Sequence, residues 1–251
     1  MQQDAASVNP HWYEDAFGES YEIIYAHRNV QAAEPEALFA VEALRLGRSD
    51  VVLDLGCGAG RHLVHLFEHA GMCVGLDYSP ALLRRAREIL PEHVGLVRAD
   101  MRAVPLANAF TAVTSFFTSF GYFLDPEENL RVVQEVARVL RPGGRFFMDH
   151  ANATHVERAL EPEGTRCHGS FEIRETRWID ATARRVNKTT RLLRDGHELE
   201  KTEESVQLYS EIELRSLLAE AGLRVDAVYG DYDGASLDDA RPRMLMIGCK
   251  A

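Results

Sequence analysis

Val51-Val52-Leu53-Asp54-Leu55-Gly56-Cys57-Gly58-Ala59-Gly60 decides the fold of this chain. A short apolar run carries an acid at Asp54, and three glycines follow at alternate positions before a helical pattern opens. The physical reading is a buried strand feeding a tight loop at a helix N-terminus. Glycine is needed there because the backbone must turn sharply and let a ligand lie directly against it. The spacing is G-x-G-x-G, not the G-x-G-x-x-G of a dinucleotide loop. Twenty-one residues beyond Gly56, a second apolar run from Met72 to Leu76 ends in Asp77. An acid at the tip of the second strand is placed to take both hydroxyls of a ribose. Together these signals predict a nucleoside site without a pyrophosphate.

Outward from this stretch, strand and helix alternate. Val51–Leu55 reads as a strand, Arg61–His69 as a helix and Met72–Asp77 as the next strand. Ser79-Pro80 supplies an N-cap and a first-turn proline for a helix through Leu90. Val94–Arg98 and Ala109–Phe116 are the third and fourth strands. Asp125-Pro126-Glu127-Glu128 repeats the cap chemistry and starts a helix to Leu140, stopped by Pro142-Gly143-Gly144. Arg145–His150 is the fifth strand. Such alternation implies a parallel sheet covered on both faces. From 168 to 209 the period changes to two, in the runs Ser170–Ile179, Arg184–Leu193 and Glu198–Tyr209. Asp195-Gly196 marks a hairpin between the last two. Ser210-Glu211-Ile212-Glu213 is a capping box for a helix ending at Gly222, and Leu223–Tyr229 and Met244–Cys249 are the final strands. Ahead of the first strand, Ala37, Leu38, Val41, Leu44 and Leu46 form an apolar stripe. His11-Trp12-Tyr13, Phe17, Tyr21 and Tyr25 make an aromatic lead-in.

These residues resemble a class I S-adenosylmethionine-dependent methyltransferase of the bacterial small-molecule type. Asp54–Gly60 is similar to the family's first motif and Gly75-Leu76-Asp77-Tyr78-Ser79 to its second. Arg98-Ala99-Asp100-Met101 and Leu140-Arg141-Pro142-Gly143-Gly144 match two later ones. The resemblance covers a core of about residues 50–150. It implies an α/β, Rossmann-like seven-stranded, mostly parallel sheet with helices on both faces, the last strand inserted antiparallel, plus a small antiparallel β insertion. The expected organisation is a helical lid over residues 1–45, a cofactor-binding core over 46–152, a β flap over 153–209, and a final helix and strands over 210–251.

With S-adenosyl-L-methionine as cofactor, Asp54 and the loop glycines Gly56, Gly58 and Gly60 would surround the methionine portion. Asp77 would hold the ribose, Tyr78 one adenine face, and Asp100 beside Met101 the adenine amine. Arg61 and Arg28 are candidates for the methionine carboxylate, because a guanidinium grips a carboxylate bidentately. Tyr21 and Tyr25 either close over the sulfonium by cation–π attraction or pack as an aromatic face on the core. The fourth strand runs into Ser115-Phe116-Phe117-Thr118-Ser119-Phe120-Gly121-Tyr122-Phe123, which belongs at the transferred methyl. Phe116 is either a cofactor-binding residue or, with Phe117, part of the core at a buried strand end. No Asn/Asp-Pro-Pro-Tyr occurs there, which weighs against a base-methylating enzyme. His150, Tyr122, and Asp231 or Asp233 are the candidate bases.

Bulk properties bound the rest. With 251 residues, 46% hydrophobic and 27% charged, the chain is an ordinary globular domain. A net charge of −11 weighs against a nucleic-acid partner. Cys57, Cys73, Cys167 and Cys249 lack C-x-x-C spacing, so neither disulfides nor zinc are expected. His62, His65 and His69 share a helix without an H-E-x-x-H motif, and no metal is assigned. The polar opening Met1-Gln2-Gln3-Asp4 and the lack of a long apolar run predict a cytoplasmic enzyme with no membrane contact. Arg166, Arg174, Arg177 and Arg184 either meet an acidic substrate or form an exposed sheet face. The leading expectation is methyl transfer to nitrogen or oxygen of a small-molecule acceptor. RNA or protein methylation, a non-catalytic cofactor-binding protein and a nicotinamide dehydrogenase are the competing ones. Gly60 sits one residue too early for a dehydrogenase's pyrophosphate loop. The flap either caps the pocket or forms a homodimer interface.

Overall fold

The computed structural model describes residues 8–251, so the polar opening Met1–Asp4 lies outside the described residues. The chain begins with α1 (Trp12–Ala16), α2 (Tyr21–Ile24) and α3 (Val30–Leu44). Alternation follows through β1 (Val51–Leu55), α4 (Leu63–His69), β2 (Met72–Asp77), α5 (Pro80–Ile89), β3 (Gly95–Arg98), β4 (Phe110–Ser115), α6 (Pro126–Val139) and β5 (Leu140–Ala151). Next come α7 (Ala153–Ala159), β6 (Glu163–His168), β7 (Phe171–Asp180), β8 (Arg185–Arg194) and β9 (His197–Gln207). The chain closes with α8 (Glu211–Glu220), β10 (Leu223–Tyr229) and β11 (Arg243–Lys250).

The main sheet has seven strands in the order β10-β11-β5-β4-β1-β2-β3. β11 runs antiparallel between β10 and β5, and the remaining pairs are parallel. Strand alternation splits the core into two layers. Leu53, Leu55, Val113 and Phe146 face one helical layer, and Val52, Ala112 and Phe147 face the other. The order turns back between β1 and β4, so their C-terminal ends open the crevice in which such sheets bind ligands.

The caps behave as their chemistry requires. Ser79 Oγ accepts from Leu82 N, Asp125 from Glu127 N, and Ser210 with Glu213 closes a reciprocal capping box. Asp195 and Gly196 both take positive φ, as the two-residue hairpin turn demands.

Some elements differ from expectation. The flap has four strands rather than three, in the order β6-β7-β8-β9. β6 reads Glu-Gly-Thr-Arg-Cys-His and stays largely exposed, so it carried no apolar alternation to find. Helix α7 is equally short and mostly exposed. α6 stops at Val139, and Leu140 pairs with Phe110 at the start of β5, so Pro142-Gly143-Gly144 lies in a bulged strand rather than terminating a helix. α4 starts at Leu63 because Arg61 and His62 belong to the preceding turn. In α3 the buried face is Ala33, Ala37, Ala40, Val41 and Leu44, while Leu38 points outward.

Apolar packing and hydrogen bonds tie the flap to the rest of the chain. Ile173 and Leu192 pack on Ile24 and Tyr25 of the lead-in. Arg185, buried in β8, donates to the carbonyls of Gly121, Tyr122 and Phe123 at 2.9–3.1 Å.

Candidate active site

A cavity of about 320 Å³ lies between the loop after β1, the tips of β2 and β4, the N-terminal aromatics and the flap. Its size is in the range of small-molecule sites.

At one end stands the glycine loop. Gly56 has φ +75°, and a Cβ there would lie 2.8 Å from Ser119 Cβ, so glycine is required both for the turn and for the close approach of the β4 loop. Gly58 also borders the cavity. Gly60 does not: its missing Cβ makes room for Leu90 and Ala86, so it packs the loop onto α5. Asp77 Oδ2 accepts from Gly58 N and Oδ1 from Ser79 N, both at 2.8 Å. These bonds use two of the roughly four acceptor positions of a carboxylate and leave others for hydroxyl donors. Tyr78, Asp100 and Met101 continue the same wall. Both Asp100 oxygens are held by the Arg102 fork at 2.5–3.1 Å, a pairing the sequence reading lacked. Burial would raise the Asp100 carboxyl, but the Arg102 bonds outweigh it and the net shift is downward.

Asp54 is fully enclosed beneath the loop and does not reach the cavity. It pairs across the β1–β4 ladder, accepting from Thr114 Oγ1 at 2.9 Å, and Oδ2 has no partner among the described residues. Burial pushes its carboxyl up to about 7, against the Thr114 bond and with help from Asp77. Between about 4 and about 7 the native state therefore binds more protons than the unfolded chain. The stability this provides is complete below the unfolded value and is lost as pH rises through the folded one. In Asp54→Asn that loss should vanish, so calorimetric melting from about pH 5 to about pH 8 should move the gap in Tm in the variant's favour. A constant gap would mean that Asp54 ionises normally in the fold.

Phe117 forms the hub of the middle section. The guanidiniums of Arg28, Arg61 and Arg243 lie 4.9, 4.4 and 5.0 Å from its ring centre. Glu36 pairs with Arg61 at 3.0 Å, and Asp149 pairs with Arg243. Arg28 has no carboxylate within ion-pair distance among the described residues, although it borders the cavity. It is the cation left for a ligand carboxylate, whereas Arg61 is already answered. Phe116 borders the cavity and stacks on the buried His62 ring at 4.0 Å. Burial holds His62 far below its ordinary titration range, and its Nε2 lies 2.6 Å from Glu36. His65 Nε2 meets the Val30 carbonyl. Among the described residues, no three side chains converge to hold a metal.

At the other end are Tyr21, Tyr25, Tyr122 and, from the flap, Val186, Glu204 and Val206. The aromatic lead-in serves both purposes: Trp12 and Tyr13 join the core, and Tyr13, Phe17, Tyr21 and Tyr25 face the cavity. Tyr122 stacks on Phe17 with a 5.8 Å ring separation. Burial, reinforced by Glu204, drives its phenol upward, so it stays protonated and serves as a wall rather than a base.

His150 is corrected as a base. It is completely buried, lies off the cavity beside Phe120 and Tyr209, and has Nδ1 on the Ala151 carbonyl. Burial lowers it to about 4. The strand alternation turns its neighbour Ala151, not His150, toward the cavity. Asp231 and Asp233 are turn residues off the cavity, the latter paired with Arg241. The flap arginines Arg166, Arg174, Arg177 and Arg184 face Glu175, Glu172, Glu175 and Glu213. Sequence reasoning missed Glu204, Asp149 and Arg185. Glu204 and Arg185 sit in strands among other charged residues and Asp149 at the end of an apolar run, and only their tertiary partners distinguish them.

Comparison with known proteins agrees with this geometry. Residues 52–144 match the family model described as a methyltransferase domain. The chain is 29% identical to a dTDP-3-amino-3,4,6-trideoxy-alpha-D-glucopyranose N,N-dimethyltransferase of Streptomyces venezuelae, over 90% of this chain and 97% of that protein. It is 28% identical to a cypemycin N-terminal methyltransferase of a Streptomyces species, over 78% and 81%. In fold it matches the CcbJ methyltransferase of Streptomyces caelestis with a TM-score of 0.75 at 20% identity, covering 87% of this chain and 95% of that one. No helix among the described residues is long and apolar enough to cross a membrane. With the glycine loop, the acid-tipped β2 and the antiparallel β11 all in place, this chain is an S-adenosylmethionine-dependent methyltransferase with the Rossmann-like fold of its structural neighbours.

Proposed function

We propose that this enzyme methylates the amino nitrogen of a small, sugar-sized acceptor. The observation that carries the reading is the cavity running from the glycine loop and Asp77 to the tyrosine-lined flap, which joins a nucleoside-type end to an aromatic end. The relatives support nitrogen over oxygen: one is named for an amino sugar and another for a peptide N-terminus. A peptide's terminal amine is therefore the second reading. The flap offers little to RNA, since carboxylates on it and beside it answer most of its arginines.

The residues present fit the cofactor. Arg28 supplies a cation for its carboxylate, Asp77 supplies acceptors for its ribose, and Gly56 leaves backbone open to it. When bound, S-adenosylmethionine supplies a methyl carbon on sulfonium, which an amine lone pair attacks in line as the carbon–sulfur bond breaks. The chain's part is positioning and desolvation. Phe17, Tyr21, Tyr25 and Tyr122 exclude water, and their ring faces favour a positive centre. We read residues 8–45 and 153–209 as the two covers of this pocket. No histidine base is needed once the amine is neutral.

Calorimetric titration with S-adenosylmethionine and S-adenosylhomocysteine tests the reading. Wild type should bind both, and Asp77→Ala and Arg28→Met should each weaken binding by about tenfold or more. Failure of the folded wild type to bind either nucleoside would overturn the proposal.

A further inference from the structure

We infer that Glu204, on the flap's last strand, docks the acceptor's amine and makes the enzyme select a cationic small-molecule amine over a hydroxyl. This rests on the proposed amine methylation at the same site.

Three carboxylates border the cavity: Asp77, Asp100 and Glu204. Asp77 is bound to the glycine loop, and Asp100 to Arg102. Glu204 stands at the opposite end, in the tyrosine-lined part. It is directly opposite Lys188 in the β8–β9 ladder, and the two pair at 2.7 Å. Tyr25 also donates to it, and Lys188 reaches the same phenol oxygen. Both contacts fall on Oε1. Oε2 accepts no hydrogen bond among the described residues, and the side chain keeps 20% of its exposure. Lys188 and Tyr25 thus hold the carboxylate in one orientation and leave its second oxygen for a ligand.

The chemistry of that oxygen chooses the ligand. A carboxylate is an acceptor only, so its partner must donate. An ammonium brings a counter-charge and three donors, whereas a hydroxyl brings one donor and no charge. Tyr21, Tyr25 and Tyr122 add ring faces that attract a cation. Arg28, which has no carboxylate at ion-pair distance among the described residues, answers the cofactor's carboxylate, and Glu204, whose charge also acts on Arg28, is left to meet the acceptor. An amine anchored on Glu204 lies on the flap side of the cavity.

The test uses a panel of free amino sugars and their hydroxyl counterparts, with wild type, Glu204→Gln and Glu204→Asp. Wild type should methylate the amines and not the alcohols. Glu204→Gln should raise the amine KM by about tenfold or more, with S-adenosylhomocysteine affinity held within about twofold, and Glu204→Asp should recover part of the loss. Retained nucleoside binding shows that the variants are folded. An unchanged amine KM in Glu204→Gln overturns the inference alone. So does a loss confined to nucleoside affinity, which would place the carboxylate on the cofactor's own ammonium. A wild type that binds the nucleoside but methylates no amine overturns the proposed function as well.

Discussion

Replacing Asp149 by alanine is expected to destabilise the enzyme by about 3 kcal/mol and to lower methyl transfer by about a hundredfold. Asp149 is almost wholly buried near the end of β5. Its Oδ2 accepts from Phe117 N at 2.7 Å and from Tyr232 OH at 2.6 Å, and its Oδ1 accepts from Arg243 Nε at 2.6 Å. Its carbonyl takes Thr118 N, and Arg243 in turn reaches Thr118 Oγ1. These bonds hold a strained segment. Phe117 and Thr118 have φ of +55° and +61°, a left-handed conformation costing about 1–3 kcal/mol for each such residue. The strain sits where it matters, because the Phe117 ring gathers the three cavity arginines. Without Asp149, Arg243 loses its ion pair and Phe117 its backbone anchor. Arg243 keeps 17% side-chain exposure, so water recovers part of the loss, and the lower end of the buried-pair range applies. Asp149→Asn keeps an acceptor but not the charge, and should fall between wild type and alanine. Denaturant melts and methyl-transfer rates measured together check this. A stable Asp149→Ala with near-normal kcat would show that the loop holds itself.

The second large effect is expected at Arg185. Its guanidinium is buried without a carboxylate, and burial lowers its pKa to about 10. All its bonds run to neutral oxygens: the carbonyls of Gly121, Tyr122, Phe123 and Ser205, Ser205 Oγ, and Gln207 Oε1. One side chain therefore clamps the acceptor-side loop to β8 and β9. Arg185→Met preserves the apolar stem but removes every donor, and should cost about 3 kcal/mol, since bonds to a charged group contribute about 1.5–3 kcal/mol each. Several of the carbonyls keep a second donor, such as Asn129 Nδ2 on Phe123 O and Gln207 N on Gly121 O, which limits the damage. Arg185→Lys is the sharper probe. An ammonium cannot span a planar fork's partners, so the loop should loosen without unfolding. The acceptor KM should rise by about tenfold with nucleoside affinity nearly unchanged. Equal losses in both affinities would make Arg185 a general stabiliser instead.

Local chemistry made much of this protein legible. The G-x-G-x-G loop, the acid ending β2, the Ser-Pro and Asp-Pro caps, the Asp-Gly turn and the capping box each act over a few residues. Their physics is complete within the sequence, and so is the period that separates parallel core from antiparallel flap. Asp77, Tyr78, Met101 and Arg28 all reached the cavity they were expected to line.

Other outcomes depended on what the fold placed across from a residue. Asp54 and Gly60 lie in the motif yet face away from the cavity, because one points into the sheet and the other into α5. His150 has a base's chemistry, but strand alternation buried it and turned Ala151 to the ligand side. Glu204, Asp149 and Arg185 take their places through partners 16 to 179 positions away. The sequence by itself determined the class of fold and the nucleoside end of the pocket, because short-range backbone geometry demands those residues. Only the tertiary structure decided the acceptor end, because that end is made where the flap, the lead-in and the β4 loop meet, and charge or burial there depends on all three.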